Sequence, residues 1–400
     1  MKQKLAIIAA IFFLTFGLIP NLRSQWVLTQ GRTGKYSLAG VKSFAMRGEN
    51  LYASCLAHGG VFHTTDNGTN WSEVHEGLTS DSVYALGSNG TDLFSGGFAG
   101  VCRLNGNDTS WTQVDDGLHS GYIRTLFVNG SSVFASLAGH GVFVSTNNGT
   151  SWIEANTGLR DTNYICAFAV SGSNLFAATF SGIFLSTDNG KGWKAVNNGL
   201  SDTNVYALAT IGTNLFAGTY KGIFLSTDNG NNWKEVDTGL TDSTVLSFAV
   251  SGTNIFAGTN SSGVFISTNN GTNWSPAGLN NEHIFSLFAS DKYLFAGGYI
   301  NGAWRRPLSD FGIAEVKNPP HPDLNISLSP NPTTGIITVH NASANILHVT
   351  VSSILGESVL ELEHPNAPEF TIDLSKLLAG MYYARIVGAH SVSIEKIFKE

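Results

Sequence analysis

Five acidic or amide side chains hold the same place in one recurring string: Asp66, Asn147, Asp188, Asp228 and Asn269, each two residues after Ser or Thr and five before Trp. An oxygen-rich Asp-x-x-Gly turn of this kind is the start of a calcium loop. A calcium hand also needs further carboxylates and a Glu at loop position twelve. That position holds Gly77, Gly199 and Gly239 after Asp66, Asp188 and Asp228. The side chains are therefore read as turn-formers that accept backbone N–H bonds, with no metal expected.

Other chemistry-bearing groups follow the same beat. Acids recur at Asp81, Asp161, Asp202, Asp242 and Glu282. Regular recurrence argues for a turn role, because a structural need repeats with the unit while an active site need not. The eleven histidines are scattered without metal-ligand spacing. The chain has no Gly-x-Ser-x-Gly elbow, His-Glu-x-x-His, Cys-x-x-Cys or Gly-rich phosphate loop. No catalytic residue and no cofactor is expected. Cys55, Cys102 and Cys166 are odd in number and fall in different repeats, which reads as small buried hydrophobes.

The elements that carry these residues are set by the repeat. Trp71, Trp111, Trp152, Trp193, Trp233 and Trp274 are spaced 40, 41, 41, 40 and 41 apart, so one supersecondary unit is written over and over. Residues 204 to 240 read as four short strands: Val205–Ala209, Leu215–Thr219, Gly222–Ser226 and Trp233–Asp237, joined by Gly/Asn/Asp turns. Nothing in the repeats sustains a 3.6-residue period. The second strand begins at Leu51, Leu93, Val133, Leu175, Leu215, Ile255 and Leu294, which predicts seven units. The last unit lacks its hairpin and fourth strand, and Trp26-Val-Leu28 supplies a strand that completes it. The expected fold is all-β: a seven-bladed β-propeller of four-stranded blades, followed by a different strand-rich segment.

Binding residues are sought where the surrounding pattern repeats but one position varies. The first strand reads Val/Ile, variable, small, Leu/Phe, and its variable slot holds Lys42, Tyr84, Arg124, Cys166, Tyr206, Leu246 and Phe285. A second slot, between strands two and three, holds Phe98, Phe180, Tyr220, Asn260 and Tyr299, with His58 and His140 nearby. The two slots share one face of a propeller. The candidate ligand-binding residues are therefore Lys42, Tyr84, Phe98, Arg124, Phe180, Tyr206, Tyr220, Phe285 and Tyr299, an aromatic rim suited to sugar rings or peptide chains.

The hairpin resembles the Asp-box, or BNR repeat, of sialidases, sortilin-type receptors, xyloglucan hydrolases and photosystem assembly factors, over about residues 25 to 307. The resemblance implies that Gly takes a positive φ and that Trp71, Trp111, Trp152, Trp193, Trp233 and Trp274 wedge between sheets. Sialidases of this type hold a carboxylate with three arginines and use a Tyr nucleophile with a Glu partner. Here the arginines are Arg32, Arg47, Arg103, Arg124, Arg160, Arg305 and Arg306, and no Arg-Ile-Pro precedes the first box. Other glycosidases need two carboxylates facing one sugar.

The two ends read as an address. In residues 1–24, Lys2 and Lys4 precede the apolar run Leu5–Ile19 and Ser24 offers a cleavage site, a signal peptide rather than a membrane span. Its removal takes the formal net charge from −7 to −10, which argues against nucleic acid as partner. Residues 308–324, with Asn318-Pro-Pro-His-Pro322, read as a linker. Residues 325–400 carry Ser329-Pro-Asn-Pro332, Leu355-Gly356, Ala379-Gly-Met-Tyr382 and Lys396. They resemble the type A C-terminal sorting domain of the type IX secretion system, a small immunoglobulin-like sandwich, which implies the secretion machinery as partner. The expectation is an extracellular or outer-membrane-surface protein without a transmembrane segment, binding a glycan or extracellular protein without catalysis. The alternatives are a sialidase- or xyloglucanase-like hydrolase and a structural envelope component.

Overall fold

The computed structural model describes residues 26–29, 32–33, 36–56, 59–160, 164–299, 302–313, 326–331, 333–341, 346–353, 358–363, 369–378, 380–388 and 392–399. The expected signal peptide, His58, Asp161 and most of the expected linker lie outside these residues. The chain divides into two compact units, residues 1–315 and 316–400. Among the described residues every regular element is a strand except one 3-10 turn, Leu308–Phe311.

Among the described residues the first unit holds seven antiparallel four-stranded sheets. The fifth shows the plan: Val205–Ile211, Asn214–Thr219, Gly222–Ser226 and Lys234–Glu235, paired in that order. Its fourth strand is shorter than the sequence predicts, and Trp233 lies just before it. The Trp233 indole donates Nε1–H to Val196 O of the preceding sheet at 2.8 Å. The same bond links Trp111 to Val74, Trp152 to Val114, Trp193 to Ala155 and Trp274 to Val236. Gly199 lies directly against this contact at φ +83, where an added Cβ would stand 2.3 Å from Trp233 O. Only glycine fits there.

Burial follows from sheets packed face to face. In the second strand Leu215, Phe216, Ala217 and Thr219 are all at 0% exposure, so both faces of the strand are covered. One core cluster joins Phe176 and Ile183 of the fourth sheet to Leu215, Phe224 and Trp233 of the fifth. Each buried Phe contributes roughly 2–3 kcal/mol of transfer free energy. A small-aromatic alternation repeated in every second strand therefore supplies most of the cohesion.

The seventh sheet is Ile284–Ala289, Tyr293–Gly298, Ala303–Pro307 and, from the start of the chain, Val27–Thr29. Val27 pairs with Arg305, Leu28 with Trp304 and Thr29 with Ala303. Trp26 takes the wedge position, donating to Ala277 O at 2.9 Å, and Trp71 of the first sheet donates to Thr29 Oγ1 at 3.2 Å. Ser286 Oγ donates to Val41 O at 3.1 Å, so the seventh sheet also touches the innermost strand of the first. Leu308 is buried with this sheet, and Phe311 and Ile313 pack on the same cluster. Packing thus continues past residue 307 into the stretch expected to be linker. A short ladder, Arg32–Thr33 with Tyr36–Ser37, has no sequence signal.

The second unit has a three-stranded sheet (Ile326–Ser329, Ile336–Asn341, Glu369–Asp373) and a four-stranded one (Ser358–Glu363, Ile346–Ser353, Gly380–Gly388, Val392–Lys399). Ile337, Val339 and Ile372 from the first meet Val349, Val351, Ala384, Ile386 and Ile397 from the second in one core.

Candidate ligand-binding site

The variable slot of the first strand is a β-bulge in all seven sheets. Val41 pairs with Cys55 and Ser43 with Ser54, so Lys42 is the extra residue. The register breaks in the same way at Tyr84, Arg124, Cys166, Tyr206, Leu246 and Phe285. A bulge drops one residue from the ladder and re-aims its side chain. Each bulged strand is also an edge of its sheet. All seven bulge side chains line a single cavity of about 650 Å³.

Of the nine expected binding residues, Lys42, Tyr84, Arg124, Tyr206, Tyr220 and Phe285 line this cavity. Phe98, Phe180 and Tyr299 do not line it but pack against residues around it. Phe98 meets Tyr84 and Tyr122 at centroid distances of 5.3 and 5.6 Å. Phe180 meets Tyr164 and Tyr206 at 4.8 and 5.3 Å, and Tyr299 meets Phe285 at 5.7 Å. Phe98, Tyr220 and Tyr299 are 56%, 53% and 59% exposed, so they keep faces open to solvent. His140 contacts His119 at 5.0 Å and is outside the cavity lining.

Sequence reasoning missed Tyr122, Tyr164 and His283. Tyr122 and His283 line the cavity, and Tyr164 stacks on Phe180. All three stand two residues before a bulge. The column they belong to reads Gly40, Ser82, Tyr122, Tyr164, Asn204, Thr244 and His283, which varies as freely as the bulge column. Aligning the repeats one step further would have found it. Cys166 also departs from expectation. Cys55 and Cys102 are buried and free, but Cys166 is half-exposed at a bulge in the cavity wall.

The cavity's charge is positive. Lys42 Nζ stands 3.8 Å from the Phe285 ring centroid, and the Arg124 guanidinium lies 5.3 Å from Tyr164 and 5.7 Å from Phe180. Burial, reinforced by the Arg124 charge and eased by Cys166, pulls the Lys42 pKa down to about 8. Burial works against the Arg124 charge too, but Cys166 and Tyr122 outweigh it and hold that pKa above its ordinary value. His283 is pushed down by burial and then by Lys42, with partial relief from Asp242. Among the described residues no Asp or Glu lines the cavity.

The repeated hairpins lie elsewhere and are self-satisfied. Ser186 Oγ donates to Asp188 Oδ1 and accepts from Gly190 N, both at 2.8 Å, while Gly192 N donates to Asp188 Oδ1 at 2.9 Å. Asp66, Asn147, Asp228 and Asn269 make the same bonds with Thr64, Ser145, Ser226 and Ser267. The Ser or Thr hydroxyl two residues upstream is the hub of the turn. Asn189 is left-handed at φ 57 beside Gly190 at φ 86. Among the described residues no cluster of three or more His, Cys, Asp or Glu is placed to hold a metal. Of the recurring acids, Asp202 Oδ1 accepts from Asn204 N, and Asp242 accepts from Thr244 N, Ser261 N and Ser261 Oγ.

Residues 327–400 match the family described as the secretion system C-terminal sorting domain. No curated protein matches the chain in sequence. Among solved structures, YCF48 bound to D1 peptide is similar at 16% identity and TM-score 0.57, over 70% of this chain and 96% of that one. The WD40 beta propeller domain of Doa1 aligns at 14% identity and TM-score 0.54, over 70% and 96%. PorZ, an essential bacterial surface component of the type IX secretion system of Porphyromonas gingivalis, aligns at 14% identity and TM-score 0.53. That alignment covers 92% of this chain and 61% of PorZ, so the chain spans about three fifths of that relative's length. At these identities the likeness is one of fold. The chain is thus a β-propeller-like repeat region joined to a C-terminal secretion sorting domain, and among the described residues no helix is long and apolar enough to cross a membrane.

Proposed function

We propose that this is a secreted or cell-surface, non-catalytic propeller that binds a glycan or extracellular protein ligand and leaves the cell by the type IX route. On this reading residues 25–307, with the packed stretch to Ile313, are a closed seven-bladed ring of Asp-box blades. Trp26 and the Val27–Thr29 strand seal the ring. Residues 1–24 are the signal peptide, and residues 325–400 an immunoglobulin-like sandwich read by the secretion machinery.

One observation carries the binding reading: seven bulges at one register turn seven side chains of six types into one cavity. A purely structural repeat would keep like residues at like positions, as the hairpins and wedge tryptophans do. The bulge column instead runs Lys, Tyr, Arg, Cys, Tyr, Leu, Phe. Variation confined to a shared cavity suits recognition. Glycoside hydrolysis of the two-carboxylate type needs acids about 5 to 10 Å apart across the substrate, and the cavity lining offers Lys, Arg and Tyr instead.

The test is a glycan array and a surface cross-linking experiment with the full chain beside its Tyr206→Ala/Tyr220→Ala variant. Binding on either format that the double variant loses supports the reading. Ligand capture unchanged by the variant, or none on either format, overturns it.

A further inference from the structure

Among the described residues Lys42 and Arg124 are the only Lys or Arg side chains in the cavity lining, and neither forms an ion pair. Their charges rest on aromatic rings: Phe285 for Lys42, Tyr164 and Phe180 for Arg124. Like charges sharing a partly desolvated space raise each other's cost; ring faces offset only part of it for Lys42, while Tyr122 and Cys166 already support the Arg124 charge. His283 adds a buried Nε2 with no hydrogen-bond partner in the same wall. A group that accepts hydrogen bonds and carries negative charge would answer all three.

We propose that the cavity receives an acidic sugar, a uronic-acid-type residue whose carboxylate sits with Lys42 and Arg124 while its ring lies against the aromatic rim. This deepens the binding reading above and rests on it. Guanidinium and carboxylate pair in a two-pronged geometry that fixes orientation, and a second cation adds charge without adding shape. The rim decides the rest of the ligand. Phe98, Tyr220 and Tyr299 present half-exposed faces. A sugar ring sets its C–H face on such a plane and leaves its hydroxyls in water. An Asp or Glu side chain carries its carboxylate on a flexible stem with no ring to cover those faces. A cavity of about 650 Å³ admits a ring or two end-on.

The experiment is calorimetric titration of the full chain at pH 7 and low salt with three probes: trigalacturonate, its neutral galactose counterpart and a glutamate-rich peptide. The variants are Lys42→Met/Arg124→Met, Tyr206→Ala/Tyr220→Ala, and, as a control for loss of a charge outside the cavity, Lys234→Met at an exposed position. The expected result is trigalacturonate binding about tenfold or more tighter than the neutral sugar. That preference should vanish in Lys42→Met/Arg124→Met and survive in Lys234→Met. Equal binding of acidic and neutral sugars, lost in the tyrosine variant, would overturn the acidic-sugar inference and leave the binding reading intact. Peptide binding without sugar binding, lost in Lys42→Met/Arg124→Met, would overturn the choice of sugar. Failure of all three probes would overturn the inference, and the array and cross-linking results would decide the broader reading separately.

Discussion

Lys42 Nζ stands 3.8 Å from the ring centroid of Phe285, which joins the bulge residue of the first sheet to that of the seventh. The contact replaces a salt bridge with a quadrupole, and a quadrupole compensates a desolvated ammonium only in part. That is why the Lys42 pKa falls to about 8 from 10.5. In the folded chain the proton leaves near pH 8, and in the unfolded chain near 10.5. Between those values the unfolded state holds more protons, so stability rises with pH across that window and is lowest below it.

Lys42→Met should therefore raise the melting temperature at pH 7, by a free energy on the order of 1–2 kcal/mol after allowance for partial solvent access. The gain should shrink as the pH climbs from 8 towards 10.5, where the wild-type lysine sheds its charge. Thermal unfolding at pH 7 and pH 10 checks both parts. A variant less stable than wild type at pH 7 would mean that Lys42 is compensated after all.

The same titration should govern affinity for an acidic sugar. Binding is expected to hold steady near neutrality and to weaken as the pH passes about 8, with proton uptake when the ligand binds above that value. The groups that share this space are Arg124, which stays charged, Cys166, and His283 with Asp242 beside it. His283, pushed below its ordinary range, gains charge only in acid and would strengthen binding there. Calorimetry in buffers of different ionisation heat measures the uptake. Cys166→Ser leaves the alkaline loss in place if Lys42 is its source.

The hairpins give a second pH signature. Their turn hydrogen bonds hold Asp66 down at about 2 and lower Asp188 and Asp228, chiefly through backbone N–H donors for Asp66 and Asp188 and through the Asn232 side chain for Asp228. A depressed carboxylate contributes stability above its unfolded pKa and loses it as the pH falls towards its folded one. Amide exchange in hairpins 66–70, 188–192 and 228–232 should therefore speed up between pH 4 and pH 2, relative to the intrinsic rate. Hairpins 147–151 and 269–273, built on Asn147 and Asn269, should show no such step. A uniform response across all five would assign the effect to the sheets.

Much of this architecture is legible in the sequence because it is periodic. Tryptophans every 40 or 41 residues, seven second strands and a change of pattern after Pro307 are visible without any partner strand. The bulges are not. Whether Lys42 lies in the ladder or beside it depends on the register of Val41 and Ser43 against Cys55 and Ser54, a property of two strands that one strand cannot display. The slot could be found as a variable column, but its aim could not. The Tyr122, Tyr164 and His283 column was visible and went unread because it precedes the strand, where variation looks like loop. Cys166 was grouped with Cys55 and Cys102 by residue type, whereas its bulge position sets it apart.

The junction of the last and first sheets should be the weak seam of the repeat region. An added Cβ at Gly297 would stand 2.4 Å from Ser286 Oγ and 2.6 Å from Val41 O, atoms that are hydrogen-bonded to each other. Gly297→Ala must displace that bond, which predicts a loss of about 1–3 kcal/mol. Gly48→Ala, with nothing within 4 Å, has only its φ of +55 to contend with and should cost less. Trp26→Ala removes a wedge and its bond to Ala277 O, and should lower stability by about 2–4 kcal/mol. Denaturant melts of the full chain rank the three. Trp26→Ala without effect would show that the Val27–Thr29 strand does not hold the seam.

Cys166 offers a way to fill the site from within. Its sulfur is electrostatically coupled to both Lys42 and Arg124, so it lies where one negative charge acts on the two cations together. Cys166→Asp places a carboxylate there with little change in volume. The aspartate should raise the Lys42 pKa above 8, remove the alkaline gain in stability described for wild type, and compete with any acidic ligand. Trigalacturonate affinity should then fall by about tenfold or more, as for the loss of a charge-assisted pair. Binding of a neutral sugar to the aromatic rim should change little. Cys166→Ser, similar in shape and uncharged, should behave as wild type. If Cys166→Asp weakened neutral and acidic sugars alike, the two cations would have no part in selecting the ligand. If it weakened neither, the acidic group would have to lie away from Lys42 and Arg124.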